Sequence, residues 1–306
     1  MRTDLFSVQY IRTLTALVVC ALITCATYAQ DKATASEENP RSTGEQCLFI
    51  GHSFFCPVAQ SFNRIAKKSN FPDHEVNIVF RGGQAGTAGA LWASPRARKE
   101  ITAILETGKI QLLGLTPGLW DKTETFSRWF DLALKYNPKT RFFIGIPWAI
   151  GGQRMDTAKF DALVDSYARK GAAVTKEMRA LYPNNQIDYL AYGKMAPTLK
   201  KRFEAGTLPD IDEMVGRGKN KLFSDNNLGH AGPMLIELCS LAWLQQLYGA
   251  ELDSLNYRTY SSDVPVIVEE VMTFNAPFEA KVIAPENPEE PKTPKETPKA
   301  DTTEDT

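Results

Sequence analysis

Histidine is scarce in this chain: its 306 residues include three, His52, His74 and His230. Chemistry that needs an imidazole as general base therefore has a short list to choose from. An excess of charge of either sign is also lacking, since 35 Lys and Arg stand against 36 Asp and Glu for a formal net charge of −1. That balance leaves no basic footprint for nucleic acid. Cys20, Cys25, Cys47, Cys56 and Cys239 have no metal-like spacing. The glycine-rich stretch at 81–87 lacks the pattern of a dinucleotide or P-loop fingerprint. No metal and no organic cofactor are expected.

The two ends read differently from the middle. Arg2 and Arg12, an apolar run from Leu14 to Ala26, and Tyr28-Ala29-Gln30 together have the form of an export signal over residues 1–29. The run is short for a bilayer span, and Asp31 to Gly44 gives no stop-transfer pattern. Residues 30–44 are therefore expected to be a flexible linker, with no stable membrane span once the signal is cleaved. Leu22-Ile23-Thr24 before Cys25 resembles a lipobox only loosely, so export to the periplasm or beyond is expected without a lipid anchor. Pro285 to Thr306 is built from Pro, Glu, Lys and Thr, with Ala300 its one apolar residue. Residues 284–306 are expected to be a disordered tail. Cleavage would leave Cys47, Cys56 and Cys239; Cys47 and Cys239 lie in apolar stretches and read as buried small hydrophobes.

Residues 45–283 suffice for one core. Runs rich in strand formers occur at Cys47–Ile50, Glu75–Phe80, Ile110–Leu115, Arg141–Pro147 and Ile187–Tyr192, with helical periodicity between most of them. Val58, Phe62, Ile65 and Ala66 make one apolar helix face, and a longer one runs from Phe160 to Leu181. A last helix is expected over Pro233–Tyr248. Alternating strands and helices predict a three-layer α/β/α sandwich with a central parallel five-stranded sheet. In such sheets ligands bind beyond the carboxyl ends of the strands, near the topological switch point.

Gly51-His52-Ser53-Phe54-Phe55 follows the first strand, and Arg81-Gly82-Gly83-Gln84-Ala85-Gly86-Thr87 follows the second. If Ser53 is a nucleophile, its base is one of the three histidines. His52 adjoins the serine and points to the other face of an extended segment; His74, in Phe71-Pro72-Asp73-His74, reads as an exposed turn residue. His230 remains, in a polar loop just before the last helix. The structural alternatives are a helix N-cap for Ser53, a packing role for His230, and a turn cap for Asp225 in Ser224-Asp225-Asn226-Asn227. Trp92, Trp120, Trp129 and Trp148 lie near rim loops or helix faces. Core packing is expected for most of them, and a sugar-binding wall is the alternative.

Leu48-Phe49-Ile50-Gly51-His52-Ser53-Phe54 resembles the first block of the SGNH (GDSL-like) hydrolases, with His52 where Asp or Asn is usual. Ala85-Gly86-Thr87 resembles the second block, and Asp225 to Leu247 the last, so the resemblance spans about Cys47 to Gly249. It implies a flavodoxin-like fold and an acyl-enzyme mechanism. Ser53 would be nucleophile, His230 base and Asp225 the acid that orients it. Asn227 is the rival, because the family's Asp stands three residues before its His. The N–H groups of Ser53 and Gly86 would hold the oxyanion. The third block's Asn is missing after Ile110–Leu115, and Thr116 is the candidate in its place. The resemblance implies small acyl esters, including O-acetylated carbohydrate, as substrates. The alternatives are an acyltransferase using the same serine and a non-catalytic carbohydrate-binding protein. No oligomeric state is assigned.

Overall fold

Cys47, Leu48, Phe49 and Ile50 are apolar without alternation, and all are fully buried in the first strand, β1 (Gln46–Gly51). A continuous apolar run of this kind belongs to a strand covered on both faces. A computed structural model describes residues 43–118 and 121–279. The expected signal, nearly all of the linker, Trp120 and the expected tail lie outside the described residues.

After β1 the chain runs through α1 (Cys56–Lys68), β2 (Glu75–Phe80), α2 (Ala88–Ala93), α3 (Pro95–Leu105), β3 (Leu112–Leu115) and α4 (Thr123–Tyr136). It continues through β4 (Arg141–Gly145), α5 (Thr157–Leu181), β5 (Ile187–Leu190) and α6 (Met195–Glu204). Then come β6 (Glu213–Val215), β7 (Lys221–Phe223), α7 (Pro233–Tyr248) and α8 (Val264–Glu279). Strands β1 to β5 form one parallel sheet in the order β2-β1-β3-β4-β5. The fold is the expected three-layer α/β/α sandwich, and this strand order is the flavodoxin-like one, whose switch point lies between β1 and β3.

The pleat divides the core. Cys47 and Phe49 join α1, α6 and α7 on one face, while Leu48 and Ile50 join α2, α3, α4 and α5 on the other. Gly114 faces Phe49 across β1 and β3. A Cβ there would sit 2.3 Å from the Phe49 ring, so that ring fills the space a side chain would take.

Several expectations need correction. β3, β4 and β5 are shorter than the apolar runs that announced them: β3 begins only at Leu112, and Ile146-Pro147 and Ala191-Tyr192 leave the ladder to build the rim. Pro147 has no N–H to contribute to it. Pro233–Tyr248 is not the last helix: α8 follows, with Val264, Ile267, Val268 and Val271 buried at the i, i+3, i+4, i+7 spacing of one face. Leu181 ends α5 in solvent, 59% exposed. Cys47, Cys56 and Cys239 are all buried.

His74 is not an exposed turn residue. It is 1% exposed, its Nδ1 lies 2.7 Å from the Tyr248 hydroxyl on α7, and its ring meets the edge of Phe62. Burial, reinforced by Lys67, lowers its pKa from 6.5 to about 4. The unfolded chain therefore binds a proton that the folded chain refuses between pH 6.5 and 4, and stability falls as pH drops through that window. His74 alone is expected to cost on the order of 3 kcal/mol across it. Urea denaturation of His74→Phe at several pH values should show a shallower acid dependence than the parent; equal slopes would remove His74 as the cause.

Candidate active site

The turn after β1 is fixed by backbone. The His52 carbonyl accepts from Phe55 N (3.0 Å) and Cys56 N (2.9 Å), so the chain reverses sharply into α1. Phe55, not Ser53, is the N-cap of that helix, and it has no side-chain cap; Pro57 pre-sets the first turn. The Ser53 hydroxyl is thus left for another partner, and the Ser53 N–H makes no hydrogen bond among the described residues. Tyr192, just past β5, donates its hydroxyl to the Phe54 carbonyl at 2.9 Å. Phe54 stacks on Trp148, with centroids 4.9 Å apart, and meets the His230 ring edge-on at 5.2 Å.

The loop from β7 to α7 is organised around one carboxylate. Asp225 Oδ1 accepts from the N–H groups of Asn227 (2.9 Å), Leu228 (2.7 Å) and Gly229 (3.3 Å). Its Oδ2 accepts from His230 N at 3.0 Å and lies 2.6 Å from His230 Nδ1. The turn-cap role and the contact with histidine therefore belong to the same side chain. Gly229 sits at φ +79°, and a Cβ there would lie 2.2 Å from the Gln153 carboxamide. Only glycine suits this left-handed position, and it lets a carboxylate five residues back reach the imidazole. Trp148 Nε1 donates to the Gly229 carbonyl at 2.9 Å, pinning the loop from the β4 side.

His230 Nε2 lies 2.8 Å from Ser53 Oγ. Partial burial opposes charge on Asp225, but the donors of Leu228, His230 and Gly229 outweigh it and hold its carboxyl well below the usual carboxylate range. An ionised Asp225 can only accept, so Nδ1 carries the proton and Nε2 presents a lone pair to the serine hydroxyl. Ser53, His230 and Asp225 therefore form one continuous hydrogen-bonded chain. The exposed Asn227 contributes its N–H to Asp225 and has no side-chain contact with His230 among the described residues.

His52 is turned elsewhere: its Nδ1 accepts from Phe54 N at 3.2 Å. Burial, with the charge of His230 second, lowers its pKa to about 4, which keeps it neutral at neutral pH. Gly86 is packed against the nucleophile turn. A Cβ on it would lie 2.3 Å from the Arg81 carbonyl, 2.7 Å from that of Gly51 and 2.7 Å from His52 Cβ. Thr87 caps α2, accepting from Ala90 N at 3.4 Å. Thr116 is fully buried; its carbonyl accepts from Ala88 N, while its hydroxyl has no partner and does not line the cavity beside Ser53.

That cavity, about 460 Å³, opens at Ser53 and runs between the ends of β3 and β4 and helices α4 and α5. A second, of about 260 Å³, lies on the other side of Ser53 against His230, Pro57 and Ile236. Of the described tryptophans, Trp129 is buried with its indole N–H on the Ala88 carbonyl, Trp92 packs edge-on against it, and Trp148 alone borders both cavities. Tyr192 and Gln153 support the site without any mark in the sequence, since their partners are carbonyls and loop atoms distant along the chain.

No family model matches the chain, and no curated protein matches it. Solved structures do. The periplasmic domain of a lipopolysaccharide acetyltransferase from Salmonella ser. Paratyphi A is 10% identical over 65% of this chain and 82% of its own, with a TM-score of 0.38. A protein from Parabacteroides merdae named a GDSL-like lipase is 13% identical over 68% and 97%, with a TM-score of 0.41. An acetyl-xylooligosaccharide esterase from a Geobacillus, solved as a point mutant, is 16% identical over 72% and 100%, with a TM-score of 0.38.

Proposed function

We propose that this protein is a serine ester hydrolase. The observation that carries the reading is the unbroken run from Ser53 Oγ through the His230 ring to Asp225, 2.8 and 2.6 Å long at its two links, at the mouth of a cavity on the switch-point rim. Ser53 attacks the acyl carbonyl while His230 Nε2 takes its proton. Asp225 holds the imidazole in the required tautomer and stabilises the imidazolium. The oxyanion is met by the N–H groups of Ser53 and Gly86; the Thr116 hydroxyl, fully buried and in the lining of neither cavity, is not available as a third donor, and one such donor is worth about 10²–10³ in rate. His230 returns the proton to the departing alcohol, and water then frees the acyl group. Transfer to a sugar hydroxyl would use the same acyl-enzyme and differ only in the acceptor. The N-terminal segment Arg2–Gln30 supports action outside the cytoplasm.

The test is covalent. An alkyl fluorophosphonate should add one phosphonyl group to the intact protein, on the peptide that carries Ser53, and Ser53→Ala should take up none. A parent protein that stays unlabelled, or is labelled elsewhere, would sink the reading.

A further inference from the structure

Ser53 stands between two cavities, and His230 lines only the smaller of them, with Pro57, Ser224, Ala231 and Ile236. Phe54 and Trp148, stacked on each other, border both and divide them. The leaving oxygen must receive its proton from His230, so the alcohol departs on the histidine side. The acyl group then lies in the larger cavity.

That cavity is larger than an acetyl group needs, and its wall is mostly apolar, with Gln84, Asp121 and Lys170 among its polar lining. Phe126 of α4, Ile144 of β4 and Ile146 just beyond it are buried in its wall. Tyr167, Gly171 and Val174 form one stripe of α5 at helical spacing. Gly171 lets that helix close on the strand, since a Cβ there would meet Ile146 at 2.5 Å. Ile150 and Leu228, 53% and 37% exposed, stand at the mouth and are tied together by Gly151 N donating to the Leu228 carbonyl. Exposed aliphatic side chains that continue into a buried apolar wall favour an extended hydrocarbon. A methyl group, about the ~30 Å³ of one water, would occupy a small corner of about 460 Å³.

We infer that the substrate is an ester of a medium-chain aliphatic acid, with its chain seated between β4 and α5; the inference rests on the hydrolase reading above. Two measurements test it. Across p-nitrophenyl esters from acetate to dodecanoate, kcat/KM should rise about two- to fourfold per methylene up to octanoate or decanoate. Val174→Trp, which fills the cavity, should cut the octanoate-to-acetate ratio by about tenfold or more. Independently of turnover, decanoate should bind Ser53→Ala in calorimetry and fail to bind Ser53→Ala/Val174→Trp. Acetate preference in the parent with no decanoate binding overturns the inference and leaves the hydrolase standing. Decanoate binding with no ester turned over does the reverse.

Discussion

Ser53→Ala is expected to lower kcat on aryl esters by about 10⁶, and His230→Ala by a similar factor, with the double variant little worse than either. The near-equality follows from the geometry. A hydroxyl is a poor nucleophile until its proton has somewhere to go, and His230 Nε2, at 2.8 Å, is the acceptor within reach. His52 cannot substitute: its Nδ1 is occupied by Phe54 N and its Cβ packs against Gly86. Removing either partner therefore disables the same proton transfer. The fold should survive, because Ser53 caps no helix and, among the described residues, its one side-chain hydrogen bond is to His230. Circular dichroism and melting temperatures close to the parent's would confirm that kinetics alone are being read. Retention of more than a few per cent of kcat by folded Ser53→Ala would end the nucleophile assignment.

The sheet is legible because parallel strands covered on both faces are near-continuously apolar, and Cys47–Ile50, Arg141–Pro147 and Ile187–Tyr192 stand out for that reason despite the buried Arg141 and Asp188. Their ends are not, since what terminates β4 and β5 is the demand of the rim for Ile146 to Trp148 and for Tyr192. Helix α8 has the periodicity of an ordinary buried face, and the polar segment that follows it in the sequence masks it. His74 cannot be read locally. Its neighbours Phe71-Pro72-Asp73 spell a turn, and the hydroxyl that receives its ring belongs to Tyr248, 174 residues away.

The candidate site divides the same way. Ser53, Gly86 and His230 follow strands or precede a helix, so topology alone brings their loops to one rim, and elimination among three histidines names the partner. Supports such as Trp148 on the Gly229 carbonyl and Tyr192 on the Phe54 carbonyl depend on three-dimensional approach of backbone groups, which no spacing announces. The size of the acyl cavity is of this second kind. Gly171 within a long helix gives no sign in sequence that it lets α5 settle against Ile146.

Asp225→Asn is expected to lower kcat by about 10⁴, and Asn227→Ala by far less. Asp225 Oδ2 faces the protonated Nδ1 at 2.6 Å, so a carboxylate both fixes the tautomer that leaves Nε2 free and stabilises the imidazolium formed as Ser53 attacks. An amide in its place carries no charge, and its NH₂ would confront N–H donors that now converge on oxygen. Some loosening of residues 224–230 should accompany the loss, visible as faster amide exchange at Leu228 to His230, while Trp148 and the Phe223–Ala231 bridge keep the loop in place. The depressed pKa of Asp225 sets the pH behaviour. Its stabilising contribution is fully present above the unfolded carboxyl range and is lost only in strong acid, below about pH 4. The acid limb of the kcat/KM profile of the parent should therefore not be that of Asp225. Asn227 exposes its side chain and gives the site only a backbone N–H, which the alanine variant would keep. If folded Asn227→Ala proves the more damaging of the two, the orienting role moves to Asn227, three residues before His230. If neither matters while Ser53→Ala is inactive, Ser53 and His230 work as a dyad and Asp225 serves only as the cap that shapes the loop.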